Sequence, residues 1–528
     1  MIRNREIGVV GGGTSGYLTA LTISKLMPRV KVTVLESSKI PVIGVGESTT
    51  PKLLRMLHHV LGFDLAEFYK EVQPTWKLGV RYIWGLPGEY AFNNALGNIN
   101  PFLSTEVAND INYNSLNSVL MNHDKSFLIE TGNADKPYKS LALPHSYAYH
   151  LDNQRLAGYL KRKAQEFGIN IVDTLVKHTS RAEDGTIKEL ITEDGNSISF
   201  DFYVDCTGFR SLLLNKSMDV PFIEYKSSLF TDTALTGNTP HNGTIKPYTE
   251  ARTMNNGWQW NIPMHTEDHV GYVYSSSFCS AEEAEREFRT LHPDLGPVKT
   301  IRFRSGRHED FVSGNVAAVG NSYGFIEALQ STALHMVITN VYALILHLKS
   351  LEAGEDRAGS INKNLGEIWD RLRWFIAINF KFNKKLDTDF WKTCRAKTDV
   401  SGAEELLELY RRKGPLYTLK NEDALASSAD KHQIYGLFSH DFMLLAQSVV
   451  PEKSPFTIDE KEKRHWIAKY GVWDQLASKA VPQSEVLQKV SESPEILEFD
   501  DFFDSPFILD GELDLFKEVN IADFIVRS

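Results

Sequence analysis

Three spaced glycines, a lysine between apolar neighbours, a tryptophan pair and a glutamate–glutamine pair are the residues of this chain whose types and spacing could do chemistry. Gly11, Gly13 and Gly16 end the β-like run IGVV and open an apolar helical pattern at Thr14 and Ser15. Gly11 permits a tight turn, Gly13 lets backbone approach a pyrophosphate, and Gly16 allows the helix to pack closely on the strand. Glu36 ends a second β-branched run, KVTVLE, 20 residues after Gly16. There it accepts ribose hydroxyls while the helix N-terminus faces the phosphates. With strand, helix and acid in register, the segment reads as a site for an ADP-containing dinucleotide. Trp258 and Trp260, at i and i+2, fall on one face of a strand. Thr332 and Ala333 open a long apolar helix whose free N–H groups suit a small anion.

The elements that must hold these residues follow from hydropathy and turn chemistry. After the opening βαβ, GVGESTTPKLLRML (44–57) is an extended strap through Val45, Gly46 and Glu47 that turns into a helix near Pro51. From about 75 to 150 the chain is aromatic and Asn-rich, which suits strands and irregular loops. Residues 152–168 form a helix with Asp152 as N-cap and Gly168 as stop. A β-meander then returns through VDCTGFRS (204–211), which carries Asp205 and Gly208 at a strand end. A third glycine turn, AVGNSYGFIEALQ (318–330), carries Gly320. One ADP fingerprint followed by two later glycine turns favours FAD over NAD, because the isoalloxazine must be held as well. No second GxGxxG seats a nicotinamide, so reduced flavin is expected from elsewhere. The fold expected is α/β: a two-layer, flavin-monooxygenase-like FAD-binding domain over 1–350, with a β-rich layer at about 75–150 and 215–300. A mostly helical, substrate-covering region is expected over 351–528.

Composition excludes other classes. The chain has 528 residues and a net charge of −11, so no basic surface invites nucleic acid. Its longest apolar runs fall short of a membrane span, and Arg3, Asn4, Arg5 and Glu6 interrupt any signal-like start, which reads as cytoplasmic. Cys206, Cys279 and Cys394 are too few and scattered for a disulfide framework, and no His, Cys or acid spacing suits a metal. The acidic–aromatic stretch EFDDFFD (498–504) reads as a solvated loop, with partner docking as the other reading. Assembly into a homo-oligomer stays open.

GVGESTTP (44–51), TWKLGVRYIWG (75–85), GWQWNIP (257–263), VGNSYGFIEALQST (319–332) and DTDFW (387–391) occur in that order. With them the chain resembles the flavin-dependent tryptophan halogenase family over roughly residues 5–395. The most specific signal is WxWxIP, here Trp258, Trp260, Ile262 and Pro263. The resemblance implies that reduced FAD, supplied by a separate NADH-dependent flavin reductase, and O2 oxidise halide to hypohalous acid. The acid then passes a tunnel flanked by these residues to a lysine beside a small aromatic substrate. Lys77 is the positional match for that lysine, and Thr332 with Ala333 for the halide site. An ammonium there polarises hypohalous acid, whereas a desolvated neutral amine is itself halogenated.

The family's usual E-P-L-E-S/A-T turn reads here Glu327-Ala328-Leu329-Gln330-Ser331-Thr332. Gln330 thus stands where a second glutamate sits near lysine and substrate, and an amide neither carries charge nor takes a proton at neutral pH. Glu327, three residues earlier, is expected to share a helical face with Gln330. The loss of the carboxylate favours electron-rich substrates and the more readily oxidised bromide and iodide. The C-terminal segment 435–447, with Tyr435, Phe438, Asp441 and Phe442, does not preserve a grip for free tryptophan and reads as a packed helix face. The expected substrate is therefore an indole, phenol or related heteroarene.

Overall fold

The computed structural model describes residues 6–40, 46–97, 101–134, 137–141, 146–241, 243–430, 434–452 and 458–493. Val45 and the 498–504 stretch lie outside these residues.

A six-stranded sheet carries the glycine turn. Its order is Asn170–Asp173, Lys31–Glu36, Glu6–Val10, Phe202–Asp205, Val316–Ala318, Val312–Ser313, parallel throughout except for the last pair. The central strands IGVV, FYVD and VAA are almost wholly buried, as near-continuous apolar runs in a parallel sheet must be. Helices Thr14–Leu26, Asn153–Glu166 and Thr332–Glu352 pack together beside it. Asp152 caps the second of these by accepting from the Arg155 N–H. Thr332–Glu352 is, among the described residues, the one helix long and apolar enough to cross a membrane. In this structure 78% of its most apolar window is buried inside the protein, so a core position accounts for its composition.

A seven-stranded layer runs Lys299–Arg302, Thr233–Thr239, Asp268–Tyr274, Gly257–Pro263, Thr249–Met254, Gly79–Ile83, Phe92–Ala95. It is the expected β-rich layer. Against Gly257–Pro263 of this layer packs a small three-stranded sheet with Ala148–Asp152 at its centre, flanked antiparallel by Gly46–Ser48 and Thr75–Lys77. This sheet brings the strap, Lys77 and His150 into one register.

The 75–150 region departs from its expected strand-and-loop character. It contains helices Pro101–Ala108 and Leu116–Asn122. Ser115 caps the second by accepting from the Ser118 N–H, and Asn114 and Asn117 donate to backbone carbonyls of Asn93 and Leu96. Tertiary hydrogen bonds thus outweigh the poor helix propensity of asparagine. Beyond residue 350 helices prevail, from Ala358–Lys381 to Gln483–Glu492. One buried apolar cluster runs without a break from Ile7 to Val490.

Candidate active site

A cavity of about 760 Å³ opens at the C-terminal ends of the central strands, inside the roughly 300–1,000 Å³ range of ligand sites. Gly11, Gly12, Gly13, Thr14, Ser15, Glu36, Gly46, Glu47 and Gly208 line it. Gly11 has φ +121°, and a Cβ on it would lie 2.2 Å from the Cys206 carbonyl oxygen. A Cβ on Gly16 would lie 1.9 Å from the Gly11 oxygen, so Gly16 serves helix packing behind the cavity. Gly13 is the N-cap of the first helix, and a Cβ there would meet no protein atom within 4 Å. The open N–H groups of that helix therefore face empty space large enough for a ligand, with the positive end of the dipole behind them. Glu36 accepts from Tyr17 Oη at 2.6 Å and pairs with Lys161, and a carboxylate retains further acceptor sites. Gly12 is a residue the fingerprint reading passes over. Its Cβ would sit 2.2 Å from Glu36 Oε2, so only glycine lets the acid reach the cavity floor.

Besides Gly16, two expected cofactor residues do not line this cavity. Asp205 is fully buried and turns its carboxylate to the N–H groups of Thr207, Leu213 and Leu214, closing its own loop. Gly320, at φ +70°, backs onto the first helix, where a Cβ would lie 2.6 Å from Ser15 Oγ. Both shape the site from behind. Glu47, half-buried, faces the cavity, and desolvation pushes its carboxyl up to about 7.

A second pocket, of about 210 Å³, lies beyond the far wall. Lys77, Gln330, Thr50, Asn94, Tyr435 and Phe438 are among its lining residues. Lys77 is 2% exposed. Its Nζ donates to the Thr49 carbonyl and to Ser331 Oγ, each at 2.7 Å. Burial lowers its ionisation from the ordinary lysine range to about 7, so a substantial fraction is neutral amine at neutral pH. Gln330 Oε1 accepts from Asn94 Nδ2 at 3.4 Å, while its Nε2 is buried without a partner and is available to a ligand. Tyr435 and Phe438 thus belong to a pocket wall, whereas the packed-face reading holds for Asp441 and Phe442. Asp441 accepts from the N–H groups of Leu416 and Tyr417, and Phe442 packs 5.9 Å from the Phe92 ring.

Glu327 and Gln330 do not share a face. Ala328–Gln330 is a single 3₁₀ turn, and Ser331 follows in the left-handed region at φ 59°, ψ 40°. Glu327, the N-cap of that turn at φ −37°, ψ 134°, stands outside it on non-helical backbone, so Gln330 enters the small pocket and Glu327 the large one. There Glu327, wholly buried, accepts from Trp258 Nε1 at 2.7 Å and from Thr231 Oγ1. Burial raises its carboxyl to about 7. Ser331, with no side-chain cap bond, does not cap the helix that follows; its Oγ contacts Lys77 and Ser48 instead.

Trp258, Trp260, Ile262, Thr332 and Ala333 line the large cavity at this dividing wall. The two indoles lie 6.0 Å apart, and Trp260 stacks over Gly271, where any Cβ would strike its ring. Pro263 sits outside the lining and gives its carbonyl to Thr75 Oγ1 at 2.7 Å. Ser331 lines the large cavity and bonds to Lys77 of the small one, so one residue joins both spaces. Among the described residues no group of three or more metal-ligating side chains occurs.

A family model described as tryptophan halogenase matches residues 6–462. Tryptophan 7-halogenase RebH of Lentzea aerocolonigenes is 30% identical over 83% of this chain and 86% of its own length. Tryptophan 6-halogenase ThaL of Streptomyces albogriseolus is 30% identical over 78% of this chain and 82% of its own. Among solved structures, MibH, described as a lathipeptide tryptophan 5-halogenase, superposes with a TM-score of 0.88 at 40% identity, covering 96% of this chain and 97% of that one. Two separate cavities, a buried lysine at their junction and matches spanning nearly the whole chain lead to one conclusion: the protein belongs to the flavin-dependent tryptophan halogenase family.

Proposed function

We propose that this enzyme halogenates an indole-type ring bound in the 210 Å³ pocket, with Lys77 as the residue that passes halogen to it. The observation that carries the reading is the bridge between cavities: Lys77 lines the small space and is hydrogen-bonded to Ser331 of the large one. FAD fits the large cavity, with its pyrophosphate at the Gly11–Ser15 turn and its ribose at Glu36. When bound in reduced form it supplies, with O2, the two-electron oxidation of halide to hypohalous acid. Thr332 and Ala333 would hold the halide at the helix N-terminus. Trp258, Trp260 and Ile262 would shield the path and keep oxygen transfer away from the organic substrate. The reduced flavin would come from a separate NADH-dependent reductase.

The lining of the small pocket also bears on the substrate. Lys77 is the one charged side chain among its described lining residues. A free amino acid brings an ammonium and a carboxylate, and both cost several kcal/mol to bury without partners. An indole carried by a peptide, the substrate type named for MibH, brings neither. Gln330 cannot hold charge, so bromide and iodide are favoured over chloride.

The test supplies FAD, NADH, a flavin reductase and bromide to the enzyme, with a tryptophan-containing peptide, free tryptophan or indole in separate reactions read by mass spectrometry. Brominated peptide or indole with far less brominated free tryptophan is expected. Product from free tryptophan alone would overturn the substrate reading, and no brominated product from any of the three would overturn the activity.

A further inference from the structure

A buried hydrogen-bond chain leaves Lys77 and ends beyond an imidazole. Lys77 Nζ donates to Ser331 Oγ at 2.7 Å, Ser331 Oγ lies 2.9 Å from Ser48 Oγ, and Ser48 Oγ lies 2.6 Å from Thr249 Oγ1. Thr249 Oγ1 is 2.9 Å from His150 Nε2, and His150 Nδ1 is 3.1 Å from Thr75 Oγ1, which donates to the Pro263 carbonyl at 2.7 Å. His150 and Thr75 are wholly buried, and Thr249 nearly so.

The direction of the chain is fixed from its far end. A carbonyl only accepts, so the Thr75 hydroxyl gives its proton to Pro263 and accepts from His150 Nδ1–H. A neutral imidazole has one N–H, which leaves Nε2 a bare acceptor for the Thr249 hydroxyl. His150 is held neutral by its burial and by the nearby Lys77 charge. Thr249 then accepts from Ser48, Ser48 from Ser331, and Ser331 from Lys77. Every bond points away from the lysine, the arrangement in which a proton passes outward without any side chain rotating.

We propose that His150 takes a proton from Lys77 through Ser331, Ser48 and Thr249, and so frees the amine that receives the halogen. This rests on the reading of Lys77 as the halogen-passing residue. Ser48, Thr249 and His150 are positioning residues, since none touches the reacting ring. In the first step the Nζ–H bond breaks toward Ser331, each hydroxyl passes on its own proton, and Nε2 gains one. The free amine attacks the halogen of hypohalous acid: N–X forms, O–X breaks, and the departing hydroxide takes an amine proton and leaves as water. The ring carbon then displaces nitrogen from the halogen. C–X forms, the N–X pair returns to nitrogen, and the ring proton lands there. The ring is oxidised by two electrons, and His150 returns its proton to Lys77. Departure of the lysine charge removes the repulsion between the two groups, while burial, the larger effect opposing protonation of His150, remains, so the imidazolium is a transient carrier that hands its proton back.

Other charges beside His150 are directed elsewhere. Glu47, next to Ser48, faces the cavity, and Glu250, next to Thr249, pairs with Arg252 and Lys246. His269, packed behind Gly46, pairs with Glu267. Lys77 is thus the group coupled to the imidazole.

The test uses His150→Gln, Thr249→Val and Thr249→Ser in the FAD-loaded enzyme, reading halogenated product per NADH consumed from pH 6 to 9, with FAD retention as the fold control. In His150→Gln and Thr249→Val the lysine proton cannot leave through the chain and is lost only by exchange with solvent. Product yield is then expected to fall roughly tenfold per pH unit below about 7, where Lys77 is protonated, and to recover toward pH 9. Thr249→Ser, which keeps the hydroxyl, should retain the wild-type profile. A pH-independent loss in both blocking variants, or wild-type yield at pH 6 in either, would overturn the relay. Full halogenation by Lys77→Ala would instead overturn the underlying reading, so the two failures are distinguishable.

Discussion

Glu327 carries its environment on its titration. Its carboxyl is raised by burial from the ordinary range to about 7, so the folded protein keeps a proton there that the unfolded chain releases near 4.5. The stabilisation this gives is fully present below pH 4.5 and is lost as pH rises through 7, a change of about 3 kcal/mol at most. Glu327→Gln should flatten that part of the stability–pH curve, measured by urea unfolding at pH 5 and pH 8, while still accepting from Trp258. An unchanged slope would mean the carboxyl is not held neutral. For Lys77→Ala we expect loss of halogenation by roughly 100-fold or more with flavin retention intact, and for Gln330→Glu equal or greater activity, each read as product yield with bound flavin measured in parallel. At this scale the sequence speaks clearly about Lys77, because Trp76 and Leu78 announce its burial. It is silent about where Glu327 points. A spacing of three suggests one helical face, but Glu327 sits on non-helical backbone before the turn, held by Trp258 and Thr231 from distant parts of the chain.

Local rules at the level of elements hold wherever backbone sterics decide. The glycine turn is such a place, and its positions are not equivalent. Gly13→Leu should fold, since a Cβ there meets no protein atom, yet fill the space where a phosphate would approach. A charge-assisted hydrogen bond from backbone N–H to phosphate contributes about 1.5–3 kcal/mol, so flavin affinity should drop roughly tenfold or more with the melting temperature of the flavin-free protein little changed. Gly12→Ala should instead displace Glu36 and lower stability itself. Calorimetry of both variants, with flavin titration, separates the two. Strands read well from the sequence because apolar runs and Gly turns mark them. The helix at Leu116–Asn122 does not, because Asn114 and Asn117 at its start bond across to the carbonyls of Asn93 and Leu96, a partner choice that no local window contains.

For the whole molecule, the proposed function takes its reducing power from a separate reductase. NADH alone should leave bound flavin oxidised over minutes, and addition of a flavin reductase should bleach it, followed at the flavin absorbance band; direct bleaching by NADH would contradict the two-component arrangement. The small three-stranded sheet has a different consequence, one of timing. Its strands have three to five residues each, and Thr75 meets His150 across 75 positions of chain while Lys77 meets Ser331 across 254. Segments so short form no stable pairing on their own, and loops so long close only after the larger sheets have set the distances. During refolding, the protein should therefore acquire most of its tryptophan fluorescence change before it acquires a working lysine. Catalytic competence should be the last property this chain gains and, under mild denaturant, the first it gives up.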